Sequence, residues 1–88
     1  MADIHQLLQD YLDHLEIEKN RSVKTSRNYR HYLSRFIKEA GIKTEKDLTF
    51  ERVKNFRLAL GRSQLKKITQ SYYAISIRNF LKFLNKRD

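Results

Sequence analysis

Lys24, Arg27, His31, Arg35 and Lys38 follow one another at intervals of three, four, four and three residues, which on a helix joins them into a single ridge. No acid stands among them. Like charges one turn apart repel by about a few tenths of a kcal/mol per pair on an isolated helix, and a negatively charged partner laid along the ridge would offset that cost. A second run, Lys67, Ser71, Ala74, Arg78, Lys82 and Asn85, has the same helical spacing. Its small members would admit a nucleic-acid backbone while Arg78 and Lys82 neutralise phosphates, although Ala74 also reads as a plain helix former.

Two threonines belong to a larger repetition. Thr25, Tyr29, Leu33, Phe36, Ile37 and Lys38 recur 44 positions on as Thr69, Tyr73, Ile77, Phe80, Leu81 and Lys82. The first five of each set share one helical face and the closing Lys falls outside it. Near a helix N-terminus a Thr hydroxyl and free backbone N–H groups suit a phosphate oxygen. Backbone capping explains each Thr equally well. Tyr29 and Tyr73 fit the core, with their hydroxyls at its edge.

Catalysis by this chain alone finds no support. His5, His14 and His31 show no i,i+4 pairing with another His or with Cys, so neither a metal nor an acid–base centre is expected. There is no Gly-rich phosphate loop and no nucleophilic Ser turn. Tyr72 is explained by an apolar stripe rather than by nucleophilic chemistry. No cofactor is implied.

The elements that must position these residues follow from periodicity and caps. Ile4, Leu7, Leu8, Tyr11 and Leu15 define a helix from Ile4 to about Glu18 behind Asp3 as N-cap. Ser22 caps a second helix that runs to Ala40, with Gly41 as its left-handed terminator. Ile42 to Leu48 reads as a loop. Thr49 caps a third helix, Phe50 to Leu60, which Gly61 is expected to end. Arg62 to Leu65 connects it to a fourth, from Lys66 or Lys67 to about Asn85. That last helix carries a second apolar stripe, Ile68, Tyr72, Ile75 and Phe83, so it is either central to the domain or meets a partner. The expectation is an all-α, four- or five-helix orthogonal bundle forming one domain over residues 1–88.

Composition sets the limits. Eighty-eight residues allow one modest core, burying about 60–65% of the unfolded surface. With no Cys and no Pro, the chain relies on neither disulfides nor thiolate ligands and suits a reducing cytoplasm. No window approaches the roughly 18 apolar residues of a membrane span. The formal charge of +9 conceals an asymmetry. Residues 1–18 hold five acids and no Lys or Arg, a net of −5, whereas residues 19–88 hold all 19 Lys and Arg against five acids, a net of +14. Such concentration is the footprint of a polyanion-binding surface, or of a merely well-solvated basic one.

The segments R-S-V-K-T-S-R-N-Y-R-H-Y-L-S-R-F-I and K-I-T-Q-S-Y-Y-A-I-S-I-R-N-F-L-K-F-L resemble the N-terminal core-binding domain of phage integrases and other tyrosine recombinases. The likeness covers Ile4 to Asn85. It rests on the order and spacing of Ser22, Thr25, Tyr29 and the run Arg78-Asn79-Phe80-Leu81-Lys82-Phe83-Leu84. The resemblance implies a SAM-like bundle that clamps one side of duplex DNA with its repeated helices facing the major groove. A separate C-terminal domain would cleave the strand. By position it implies DNA contacts from Ser22, Lys24, Thr25, Arg27, His31, Lys67, Thr69, Ser71, Arg78 and Lys82, to which the ridge adds Arg35. The sequence departs from the pattern at Lys66, which stands where Ser22 has its counterpart and cannot cap as Ser does. The family's interdomain linker would begin at Asn85-Lys86-Arg87-Asp88, so the chain is expected to be a domain excised from a longer integrase.

The expected function is duplex DNA binding, with Arg27 and Arg78 the best placed for guanine. The implied partners are double-stranded DNA, the catalytic domain of the same parent and neighbouring recombinase protomers. The competing reading is a helical protein-interaction module that uses Ile68, Tyr72, Ile75 and Phe83.

Overall fold

Helices in this chain begin where a short polar side chain can take a first-turn N–H, with the last helix as the exception. In the computed structural model, which describes residues 3–86, α1 spans Ile4–Ile17, α2 Val23–Ala40, α3 Phe50–Arg62 and α4 Lys67–Lys86. The expected linker residues Arg87 and Asp88 lie outside the described residues. The Asp3 carboxylate accepts from His5 N at 3.4 Å, Ser22 Oγ from Thr25 N at 3.1 Å and Thr49 Oγ1 from Arg52 N at 3.2 Å. These caps satisfy donors that the helix itself leaves unpaired. At α4, where Lys66 stands in place of a Ser, the bonds run the other way, to carbonyls. Gln70 donates from its backbone to Lys66 O and from its side chain to Leu65 O.

Gly41 ends α2 as expected, at φ 71°, in the left-handed region that glycine enters without a Cβ penalty. The carbonyls of Ala40 and Gly41 both accept from Arg52 Nη1, at 2.9 and 3.0 Å. A cation from α3 thus closes the negative end of the α2 dipole. Gly61 does not end α3. The helix runs through it to Arg62 and stops at Ser63, whose backbone turns extended and whose Oγ donates to Leu60 O at 2.6 Å. A Gly marks a helix end only when the chain there turns left-handed, and at Gly61 it does not.

The segment expected as a plain loop contains a 3₁₀ turn, Glu45–Asp47. The Asp47 carboxylate accepts from Lys43 N at 2.8 Å and Thr44 N at 3.2 Å. Those two bonds hold its carboxyl below the usual carboxylate range. The loop is also tied to the start of α1, where Ile4 N donates to Lys43 O at 3.1 Å.

α2 and α4 form the central pair, with α1 and α3 each packed against both. The repeated inner faces meet in one core: Leu33, Phe36 and Phe80 are fully buried, and Ile37, Tyr73 and Ile77 nearly so. The two repeated phenylalanines find different partners. Phe36 meets Phe56 of α3 edge-on at 5.1 Å, and Phe80 meets Tyr11 of α1 at 5.4 Å. Ser26 and Ser76, outside the apolar pattern, are buried as well. Ser76 Oγ donates to Tyr73 O at 2.9 Å, so its burial leaves no unpaired hydroxyl. The Cα radius of gyration is 12.7 Å, close to the roughly 12 Å of a single domain of this length. Among the described residues no helix is long and apolar enough to cross a membrane.

Candidate nucleic-acid interface

α2 and α4 pass each other in opposite senses. Arg35 and Tyr32 lie against Tyr73 and Tyr72 near the start of α4, while Tyr29 shares a cavity with Asn79 and Phe83 near its end. The two repeated N-termini therefore stand at opposite ends of the pair. Ser22 and Thr25 do not join Lys67 and Thr69 in one anion site.

At the first of these ends Thr25 Oγ1 and Ser22 Oγ are hydrogen-bonded at 3.1 Å, which is local capping. Lys24, Arg27 and His31 project from α2 and are exposed. Arg35 leaves this ridge. Its Nε pairs with Glu39 at 2.5 Å and its Nη1 donates to the Tyr73 hydroxyl at 3.2 Å. The Tyr73 bond first, and Glu39 second, hold the guanidinium still more firmly protonated than usual. The acid-free ridge expected along α2 thus ends at His31 and resumes at Lys38. Glu39 stands about 40° from Arg35 on a flat projection, beside the ridge rather than on it, and as an i,i+4 neighbour it pairs with Arg35 one turn on.

On α4, Lys67, Ser71, Arg78 and Lys82 are exposed and Thr69 is half-buried. The stripe borders α3: Lys67, Ser71 and Ala74 face Arg57 and Leu60, and further along Ala74, Arg78 and Lys82 face Phe50, Val53 and Arg57 across a groove of about 420 Å³. Arg57 is the residue that sequence reasoning missed. Its own helix gives no signal for it, because it joins the α4 cations only once α3 is docked. Among the described residues no Asp or Glu lines either stretch of this groove.

Between the α2 ridge and the α4 stripe runs an aromatic seam. Tyr32 stacks on Tyr72 at 6.3 Å with 28° between planes, and His31 meets Tyr32 edge-on at 5.7 Å. Burial, then the neighbouring Tyr73 and Tyr72, push the Tyr32 phenol upward, so it remains a donor. The expected second apolar stripe divides here. Phe83 turns inward against Tyr11 and His14 at 5.2 and 5.0 Å, whereas Ile68, Tyr72 and Ile75 stay 56, 47 and 38% exposed.

The remaining basic side chains separate by role. Arg30 donates to Gln9 on α1 and Arg52 caps α2, so both serve the fold. Lys24, Arg27, Arg57, Lys67, Arg78 and Lys82 have no carboxylate partner among the described residues. Their arrangement can take up a rod of regularly spaced phosphates. Among the described residues no cluster of three His, Cys, Asp or Glu could hold a metal.

Comparison with known proteins gives a family and a relative. The family described as "Phage integrase, N-terminal SAM-like domain" matches residues 8–88. The tyrosine recombinase XerC of Listeria monocytogenes serotype 4a (strain HCC23) is 34% identical over 87 residues, covering 96% of this chain and 29% of that protein. The chain thus spans about three-tenths of the length of that relative. No solved structure gives a significant match.

Proposed function

The chain belongs to the family of phage integrase N-terminal, SAM-like domains, and from that membership we propose that it binds duplex DNA as the non-catalytic clamp of a tyrosine recombinase. The observation that carries this reading is the exposed, acid-free array across α2 and α4. Lys24, Arg27 and His31 stand on one side of the Tyr32–Tyr72 seam, and Ser71, Arg78 and Lys82 on the other. Phosphate neutralisation supplies most of the affinity. Arg27 and Arg78 supply what base reading there is, through paired hydrogen bonds to guanine. Arg57 extends the phosphate-contacting set on the α3 side. Strand cleavage and rejoining belong to a further domain of the parent, which works in the cytoplasm.

A mobility-shift titration of the chain on duplex DNA at several salt concentrations tests this. Binding should weaken steeply as salt rises. No binding at low salt, or binding indifferent to salt, would overturn it.

A second reading has its own observation. Ile68, Tyr72 and Ile75 form an exposed apolar strip on α4 that suits a protein surface, such as a neighbouring protomer or the parent's catalytic domain. Reversing the charges of Lys24, Arg27 and Lys82 separates the readings. Duplex binding is lost with the fold intact if DNA is the partner, and little changes if the strip is what matters.

A further inference from the structure

A second cavity, which shares only Lys82 with the α3–α4 groove, lies where the end of α1, the start of α2 and the end of α4 converge. It measures about 450 Å³, within the range of small-molecule sites. Its floor is aromatic. Tyr11 lies at the centre, 6.3 Å from Tyr29 and 5.2 Å from Phe83, and His14 continues the wall beside Phe83. Four cations from two segments surround it: Lys19 and Arg21 from the α1–α2 link, Lys82 and Lys86 from α4. No Asp or Glu lines it.

Tyr11 carries the second, independent observation. The residue is only 3% exposed, yet among the described residues its hydroxyl has no hydrogen-bond partner, and it borders the cavity. The body of the side chain is thus fixed in the core while its hydroxyl is left to the cavity. Since no fully buried side-chain polar atom among the described residues lacks a partner, what little of Tyr11 is open includes its hydroxyl. Burial, then the neighbouring Tyr29, keep this phenol protonated, with the charge of Arg21 acting against them, so it offers a donor to an incoming anion.

We propose that this cavity binds a nucleotide, with its base against the Tyr29 and Phe83 rings and its phosphate between Arg21, Lys86 and the Tyr11 hydroxyl. Rings without charges would suit an apolar ligand, and charges without rings a bare anion. The two together select an aromatic body that carries a phosphate, since any base offers a face to an aromatic ring. Four cations exceed what a single carboxylate needs. The nucleotide is either free or the unpaired end of a DNA strand. The free form does not depend on duplex binding elsewhere on the domain.

Calorimetric titration of the 88-residue chain at fixed ionic strength, with dAMP, deoxyadenosine and inorganic phosphate as separate probes, is the test. dAMP should bind at least about tenfold more tightly than either part, because each half alone forfeits stacking or charge. Arg21→Gln, at an exposed position that leaves the core intact, should weaken dAMP at least about fivefold without changing the melting temperature. Phe83→Leu should weaken dAMP and deoxyadenosine alike. Absence of dAMP binding, phosphate binding as tight as dAMP, or an Arg21→Gln variant with undiminished dAMP affinity would each overturn the proposal. Competition then distinguishes the sources. Displacement of dAMP by a duplex with one unpaired 3′ nucleotide, and not by a blunt one, assigns the site to a strand end. Displacement by neither assigns it to the free nucleotide. Equal displacement by the blunt duplex would merge the cavity with the duplex surface and refute a separate site.

Discussion

Arg35 of α2 rests on Tyr73 of α4: its guanidinium carbon lies 5.5 Å from the ring centroid while Nη1 donates to the hydroxyl at 3.2 Å. One side chain thus joins the central helices by a hydrogen bond and a cation–π contact. Tyr73→Phe keeps the ring and removes the acceptor. The substitution should cost about 0.5–1.5 kcal/mol of stability, the net worth of one such bond, measured by urea unfolding. An unchanged midpoint would show that the hydroxyl contact is not formed in solution.

The two glycines should respond to alanine with opposite signs. At Gly41, φ of 71° penalises any L side chain, and a Cβ would meet Arg52 Nη1 at 3.2 Å. Gly41→Ala should therefore lose about 1 kcal/mol or more. Gly61 lies inside α3, where a Cβ would meet nothing within 4 Å. Gly61→Ala should gain about 0.5–1 kcal/mol, because alanine loses less backbone entropy on entering a helix. Paired thermal unfolding curves check both signs at once.

These glycines also show where the sequence was legible. Helix number, order and inner faces follow from the 3.6-residue period, and the caps Asp3, Ser22 and Thr49 stand where polar residues precede apolar stripes. Gly61 misled because composition carries no φ. Ser26 and Ser76 escaped because hydropathy has no means of marking a small polar residue as buried. At the site, the exposure of Lys24, Arg27, Arg78 and Lys82 was readable from the helical wheel. Arg57 entering the groove was not, since it depends on α4 being brought close by folding; for Arg35 the i,i+4 partner Glu39 stood in the sequence, whereas Tyr73, 38 positions away, did not show.

The Asp47 carboxyl gives the loop a pH signature. Its folded pKa is depressed by the Lys43 and Thr44 N–H bonds, so the stability it contributes is present above its unfolded value of about 3.9 and is lost as pH falls through the folded value. Asp47→Asn should lower the melting temperature at neutral pH and flatten its decline below about pH 4. A variant with the same acid limb as the parent would place the pH dependence elsewhere.

Phe83 and Ile75 belonged to one stripe in the sequence and now separate. Ile75 is 38% exposed, so Ile75→Ser should shift stability by no more than about 0.5–1 kcal/mol. Phe83 packs on Tyr11 and His14, and Phe83→Ser should cost about 2 kcal/mol or more, short of the roughly 3–5 lost when a fully buried Phe becomes Ala. Chemical denaturation distinguishes the two. Comparable losses would mean that Ile75 is core and not part of a docking strip.

The salt dependence of duplex binding can assign individual cations. Each phosphate contact removed lowers the slope of log affinity against log salt by about 0.9. Arg78→Gln, Lys82→Gln and Arg57→Gln should each reduce that slope by about one contact and leave the fold intact, since none has a partner among the described residues. Arg30→Gln should behave differently: its partner is Gln9 on α1, so any loss should be in stability with the slope unchanged. Arg57 is the sharpest of these. If its slope matches the parent's while Arg78 and Lys82 both report losses, the duplex follows α2 and α4 alone, and the α3 side of the groove stays in water.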